Sequence, residues 1–354
     1  MERYNRQTIL QEFGEAGQRA LKNASVLVIG AGGLGCPVLL YLNAMGVGRI
    51  GIMDGDQVQI SNLHRQVLFG EGDLGKNKAV TAAKALNTNN SQTQIDVFQE
   101  NITKENAVNI VFEYDIVVDC SDNFPTRYLV NDICFLMNKP LVFAAINGFE
   151  GQVAVFNWKS SGNYRDLYPI MPVFGEVANC EETGVLGVLA GIIGSIQAAE
   201  VIKIITGIGQ PIAGSILNYD LRDHSQIQFK YKINPSTSPS WENFRHSDYA
   251  EICELPQTQL IDLPAWEKIV ENESMTIIDV RNHDEKPKLK IKHLSLPLPE
   301  LKKQFHMLPL GDILFICQTG KRSREAVVIA QSKDEGTRKF FTLQGGINAL
   351  RQLN

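Results

Sequence analysis

Apolar residues along this chain fall into two alternating rhythms, short continuous runs and longer stretches at helical spacing. An amphipathic opening predicts a helix over about residues 5–22, and the run Ser25–Ile29 then reads as a buried strand. A helical stretch Pro37–Met45 leads to a second strand, Arg49–Met53, which ends in Asp54. Helical spacing at Lys76–Leu86 precedes strands near Ile95–Phe98 and at Asp115–Cys120. Strands follow at Leu141–Ala145 and Gln152–Phe156, then an irregular stretch over about 158–183. An apolar helix begins after Gly184 and ends near Thr206-Gly207, before strands at Ser215–Asp220 and Gln226–Tyr231. Strand–helix alternation with strands apolar throughout predicts an α/β fold, a mostly parallel sheet with helices on both faces.

The pattern then pauses. Asn234–Ser247 (NPSTSPSWENFRHS) is polar and rich in Pro and Ser, so residues 234–254 are expected to link two domains, 1–233 and 255–354. A smaller α/β pattern starts near Leu255, with strands at Thr276–Val280 and Ile313–Ile316 and a helix opening near Ser323. A length of 354 residues suits two cores better than one.

Composition narrows the function classes. A hydrophobic fraction of 44% and a charged fraction of 21% are those of an ordinary globular protein. Net charge is −5, divided as −8 over residues 1–254 and +3 over 255–354, so neither half has the basic footprint of a nucleic-acid binder. The opening MERYNRQTIL lacks the apolar core of a signal peptide. The apolar stretch Gly184–Ala199 is too short and too interrupted by Gly, Ser and Gln to span a bilayer. Six scattered cysteines give no disulfide framework, and the expected compartment is the cytoplasm with reduced thiols.

The chemistry begins at Gly30-Ala31-Gly32-Gly33-Leu34-Gly35, a G-x-G-x-x-G turn between a strand and a helix. Glycines there let backbone N–H groups approach a phosphate at the helix N-terminus, and Asp54 ends the next strand where an acid binds ribose hydroxyls. Alone, this turn suggests NAD. Ser61-Asn62-Leu63-His64-Arg65 and Gly75-Lys76-Asn77-Lys78 add cations suited to a triphosphate, and Asp122 after the fourth strand offers one carboxylate to Mg²⁺. Together they favour ATP with Mg²⁺.

The motifs RYNRQ, GAGGLGCP, DGD, SNLHRQ, GKNK, DCSDN, EGQV and the helix GVLGVLAGIIGSIQAAEVIK resemble the MoeB/ThiF activating enzymes, relatives of the ubiquitin-activating enzymes, over about residues 1–232. The resemblance implies a Rossmann-like fold whose ATP site is lined by Gly33, Asp54, Ser61 through Arg65 (with Asn62, Leu63 and His64), Lys78, Asp122 and Asn123. It also implies a homodimer in which Arg6 reaches the partner subunit's ATP. The implied reaction is attack by the terminal Gly carboxylate of a ubiquitin-like carrier on the α-phosphate, with Arg65 and Lys78 stabilising phosphate charge.

The chain departs from that family in two places. Many members hold a structural zinc through two CxxC pairs. Here those places read Asn163-Tyr164-Arg165-Asp166 and Asn234–Ser240, without cysteine, so no zinc is expected. Cys180 stands where the family has a cysteine proposed to form a covalent link with the carrier. Cys36, Cys120 and Cys134 are expected in the core.

In the second domain, Cys317-Gln318-Thr319-Gly320-Lys321-Arg322 follows a buried strand and opens a helix, with the helix end and two cations favouring an anionic sulfur. With Ile278-Asp279-Val280-Arg281 upstream and Leu343-Gln344-Gly345-Gly346-Ile347 downstream, it resembles a single rhodanese-like domain over about 256–354. That resemblance makes Cys317 the persulfide cysteine. His283 and His293 are expected to be structural or surface residues.

An adenylating domain fused to a sulfur domain implies one pathway. The carrier, ending in Gly-Gly, is activated and then converted to a thiocarboxylate by the Cys317 persulfide, itself loaded by a donor such as a cysteine desulfurase. Molybdopterin, thiamine or tRNA thiolation could each lie downstream. Three other readings compete: an NAD-dependent dehydrogenase, a non-catalytic scaffold for a ubiquitin-like protein, and a tRNA-dehydrating relative.

Overall fold

Neighbouring residues of the first strand point into different cores. In β1 (Ser25–Ile29), Val26 and Val28 belong to one apolar cluster, Leu27 and Ile29 to another. A strand buried on both faces is apolar at nearly every position, which is why β1 and β2 (Arg49–Met53) read as continuous runs. In the computed structural model, residues 2–172, 184–247, 249, 259–334, 336 and 338–350 are described. The chain divides after Tyr249 into two compact units.

The first unit is built on eight strands in the order β3-β2-β1-β4-β5-β6-β7-β8. β3 (Gln94–Phe98), β4 (Ile116–Asp119) and β5 (Leu141–Asn147) complete the parallel part with β1 and β2. β6 (Glu150–Phe156), β7 (Ser215–Asp220) and β8 (Gln226–Lys230) add antiparallel pairs. The chain leaves β1 on one side for β2 and returns on its other side as β4. This reversal opens a crevice at the strand C-termini, the usual ligand position in such sheets.

Helices Gly35–Met45 and Gly187–Thr206 pack together on one face, through Val38, Leu39 and Leu42 of the first and Leu189, Ile193 and Val201 of the second. Each such side chain, fully removed from water, contributes about 1.5–3 kcal/mol. The helix Gly187–Thr206 is long and apolar enough to cross a membrane by length and composition, yet half of that window is buried inside the unit. It also carries the buried Glu200, whose carboxylate accepts from Lys203 Nζ at 2.6 Å and from the backbone N–H of Ile212 at 2.7 Å. Those bonds satisfy a charge that a core would otherwise reject.

Two expectations are corrected. The opening segment is two helices, Asn5–Thr8 and Gly14–Asn23, because the chain turns at Gly14 (φ +55°) and inserts Phe13 into the core. Part of the expected linker is ordered on the first unit. Ser240 caps the helix Trp241–His246, and Phe244 joins Tyr249 in the first unit's core. Lys104 Nζ fastens that helix's end through the carbonyls of Arg245 and Ser247, at 2.9 and 3.1 Å.

The second unit has five parallel strands in the order β11-β10-β12-β13-β9. These are β9 (Leu260–Ile261), β10 (Thr276–Asp279), β11 (Leu294–Ser295), β12 (Ile313–Ile316) and β13 (Phe340–Leu343). Along the central β12, Ile313 and Phe315 enter one cluster while Leu314 and Ile316 enter the other. Cys317 therefore emerges at the end of a strand held on both faces.

Candidate functional site

The glycine turn of the first unit sits on the ends of three adjacent strands. Gly30 receives φ +94°, and its N–H donates to Met53 O at 2.8 Å. A Cβ at Gly30 would stand 2.9 Å from Cys120 O, so only glycine lets the turn lie against the end of β4. Asp54, 7% exposed, ties the turn to β2: its carboxylate accepts from the N–H of Ala31 at 2.8 Å and of Asp56 at 2.9 Å. Burial raises the Asp54 pKa, and the nearby Lys78 ammonium and these two N–H donors pull it back.

Lys78 is only 6% exposed, although it begins a surface helix, Lys78–Asn89. Its Nζ donates to Asp56 Oδ2 at 2.8 Å. Asn77 caps that helix through Val80 N–H, and its amide donates to the carbonyls of Asp54 and Asp56. The DGD turn and the Lys78 helix are thereby locked together. Asp56, the second acid of DGD, is the partner that reasoning from the sequence left unnamed.

Arg65 arrives from the other side. A Cβ at Gly33 would lie 3.3 Å from Arg65 Cγ, so the arginine stem runs over the glycine turn. Its guanidinium donates to Asn62 Oδ1 at 2.7 Å and to the Ser61 carbonyl at 3.3 Å. The backbone of His64 and Arg65 is in turn covered by Gly187 at the start of the long helix. Ser61 and His64 are exposed, and Asn62 and Leu63 half-buried. Asp122 presents an exposed carboxylate beyond β4, and Asn123 beside it caps the helix Phe124–Leu136 by accepting from Thr126 N–H at 2.9 Å. Arg6 is exposed on the short helix Asn5–Thr8, apart from this cluster's hydrogen bonds. Cys180 lies outside the described residues. Cys36, Cys120 and Cys134 are buried, and burial pushes the Cys36 thiol up to about 12, which keeps it protonated.

A single exposed carboxylate fits Mg²⁺ arriving on ATP phosphates, since that ion keeps most of its ligands as water and phosphate oxygen. Zinc is different. At the two places where the resemblance would put cysteine pairs, the Asp166 carboxylate instead accepts from Asn163 N–H, Asn234 N–H and Thr237 Oγ1. Among the described residues there is no group of three or more His, Cys, Asp or Glu side chains that could hold a metal. These residues do not fit a structural zinc.

In the second unit, Cys317 is 1% exposed, and its Sγ accepts from the backbone N–H of Ser323 at 3.3 Å in the first turn of the helix Lys321–Lys333. Ser323 Oγ lies 3.5 Å from the same sulfur and is fixed by Thr342 Oγ1 at 2.6 Å. Gln318 joins Arg281 Nη1 at 3.1 Å and Asn348 Oδ1 at 2.6 Å, which holds the loop's first residue. Thr319 is exposed and Gly320 buried. Of the two expected cations, Arg322 is engaged by Glu285 at 2.5 and 2.7 Å, and the Lys321 side chain lies outside the described residues. The helix N-terminus, not a free guanidinium, faces the sulfur.

A nucleotide crevice with cations beyond its glycine turn, in one chain with a cysteine cradled at a helix N-terminus, defines an activating enzyme joined to a sulfur-handling unit. The chain belongs to the ThiF family, whose model matches residues 4–238. It is 50% identical over 240 residues to a sulfur carrier protein adenylyltransferase of Thermus thermophilus, covering 66% of this chain and 89% of the relative. Other relatives match along 98% of the chain, two of them as follows. One is the adenylyltransferase and sulfurtransferase MOCS3 of Xenopus laevis (37% identical, 85% of its length). The other is the probable adenylyltransferase/sulfurtransferase MoeZ of Mycobacterium tuberculosis (39%, 92%). Among solved structures, E. coli MccB with ATP superposes with a TM-score of 0.58 at 26% identity, over 66% of this chain and 73% of that one.

Proposed function

We propose that the first unit adenylates the C-terminal glycine carboxylate of a ubiquitin-like sulfur-carrier protein and that Cys317 then supplies its sulfur. The observation that carries this reading is the gathering of Asp54, Lys78 and Arg65 around one glycine turn. The turn's N–H groups and the start of the helix Gly35–Met45 receive phosphate, and Asp54 the ribose. Asp122 would hold Mg²⁺, whose charge would offset that of the phosphates. The carrier carboxylate attacks the α-phosphorus, the bond to the bridging oxygen breaks, and pyrophosphate leaves. Arg65 and Lys78 stabilise the charge that develops on the phosphoryl oxygens.

The terminal sulfur of a Cys317 persulfide then attacks the acyl carbon, AMP departs, and an acyl disulfide remains. A second thiol then attacks Sγ of Cys317, leaves it in a disulfide and releases the thiocarboxylate; Cys180 is the candidate for a covalent link to the carrier. Ser323 N–H and the helix N-terminus stabilise anionic sulfur at Cys317. Arg6, exposed beside the exposed apolar side chains of Ile9 and Leu10, suits a homodimer contact that delivers it to the partner subunit's ATP. The cytoplasm is the compartment and a cysteine desulfurase the sulfur source that this reading implies.

Exchange of labelled pyrophosphate into ATP tests the first step. Exchange should require a carrier ending in Gly-Gly and disappear in Asp122→Ala. Cys317→Ala should keep exchange and lose thiocarboxylate formation. Absence of exchange with every such carrier of the source genome would overturn the adenylation reading.

A further inference from the structure

The loop that follows Cys317 ends in an arginine that is already taken. Arg322 Nη1 and Nη2 donate to the two carboxylate oxygens of Glu285, at 2.5 and 2.7 Å, in the parallel two-point geometry that makes guanidinium–carboxylate pairs strong. Both partners are substantially covered, with side-chain exposures of 33% and 28%, so water screens the pair less than it would on an open surface. The Arg322 guanidinium holds the Glu285 carboxyl down at about 2, so the pair stays charged at any physiological pH. Arg322 and Cys317 stand at the two ends of the same six-residue loop.

That placement separates two classes of sulfur donor. A free anionic donor such as thiosulfate brings a doubly charged group into the loop. Its sulfane sulfur forms a bond to the Cys317 thiolate, the S–S bond of the donor breaks, and sulfite leaves with the electron pair. Both the incoming oxygens and the departing sulfite need a cation, and a guanidinium fork is the side chain that matches them. A protein-bound persulfide is less demanding. The Cys317 thiolate takes the outer sulfur, the donor's own cysteine leaves as a thiolate, and no sulfonate-like group has to be held. The Ser323 N–H and the helix N-terminus, which remain directed at Sγ, are sufficient for the transferred sulfur.

We propose that Glu285 is a specificity residue of the sulfur site: by holding Arg322 it withholds that guanidinium from free dianionic donors and favours sulfur delivered to Cys317 as a persulfide on another protein. This rests on the persulfide reading of Cys317, and the experiment below separates the two.

The test uses the full chain in two assays, thiosulfate-to-cyanide sulfur transfer and persulfide loading of Cys317 from a cysteine desulfurase supplied with free cysteine. Glu285→Gln keeps the shape and removes the charge. Its kcat/KM for thiosulfate should rise roughly tenfold or more, the scale of one charge-assisted hydrogen bond, mainly through a lower KM. Loading from the desulfurase should stay within a factor of about two, a span below that scale. Adding Arg322→Ala to Glu285→Gln should erase the gain. An unchanged KM for thiosulfate in a Glu285→Gln protein that still loads from the desulfurase overturns the specificity role. Loss of both assays with a lowered Tm shows that the pair is structural and overturns it too. Failure of wild-type Cys317 to carry persulfide from either source instead overturns the reading of the cysteine itself.

Discussion

Asp166 accepts a hydrogen bond from the backbone N–H of Asn234 at 2.7 Å, across 68 residues of chain. The same carboxylate accepts from Thr237 Oγ1 at 3.1 Å, from Asn163 N–H at 2.7 Å and from Asn163 Nδ2 at 2.9 Å. One side chain thus joins the two segments that cysteine pairs and zinc would join, with Tyr231 OH adding a bond to the Ser161 carbonyl at 2.8 Å. Next to it, Arg165 makes a two-point pair with the buried Asp132, which also accepts from Tyr249 OH. A hydrogen-bonded clasp thus ties these two segments together.

Asp166→Ala should therefore lower stability by about 1–3 kcal/mol, because four donors lose their acceptor together. Asp166→Asn, which keeps one carbonyl oxygen, should fall between. Thermal unfolding with and without a strong chelator checks both points. The expected result is a Tm lowered by the substitution and unmoved by the chelator in the parent protein. A parent Tm that drops on chelation would show a metal where the clasp is drawn.

Lys78 and Asp54 lead to a pH dependence. Burial raises the folded-state pKa of Asp54, and Lys78 opposes that rise. A carboxyl raised in the folded state keeps its proton there longer than in the unfolded chain. Stability accordingly falls as pH climbs from about 4, the ordinary carboxyl value, through the folded value. Lys78→Met removes the opposing charge, pushes the folded value higher and widens that window. The variant should be nearly as stable as the parent close to about pH 4 and lose roughly 1–3 kcal/mol relative to it by neutral pH. Asp54→Asn in the same background should reduce the difference to the share carried by the Lys78–Asp56 ion pair. Chemical denaturation across that pH range decides it, and a deficit independent of pH would mean that Lys78 contributes packing alone.

How much of this was legible follows from where each signal resides. β1, β2 and β12 lie where the apolar runs place them, because burial on both faces leaves nearly every position apolar. The break at Gly14 was hidden by an amphipathic pattern that continues through it, and the docking of Phe244 by the Pro and Ser around it. The glycine turn shows in the sequence because its spacing is local. Asp56 for Lys78, Glu285 for Arg322 and Asp166 for Asn234 do not, since 22, 37 and 68 residues separate the partners. Contacts of that span are products of the fold, and nothing in their neighbourhood announces them.

Two glycines of the same turn should respond oppositely to one methyl group, for a reason that lies in what each touches. A Cβ on Gly35 would drive into the carbonyl of Gly30, which is backbone pinned by the bond from Gly30 N–H to Met53 O and cannot retreat. Gly35→Ala should cost the fold itself and appear as insoluble protein or a sharply lowered Tm. A Cβ on Gly33 would stand 3.2 Å from Ala190 Cβ and 3.3 Å from Arg65 Cγ, a tight fit in which the arginine stem is the neighbour free to give way. Gly33→Ala should fold with a Tm close to the parent's while displacing the Arg65 guanidinium. Misplacing a phosphate-holding group by a fraction of an ångström to 1 Å should lower kcat/KM for ATP in pyrophosphate exchange by about tenfold to a hundredfold. If Gly33→Ala instead exchanges at the parent rate, Arg65 does not act through the position it holds over the turn.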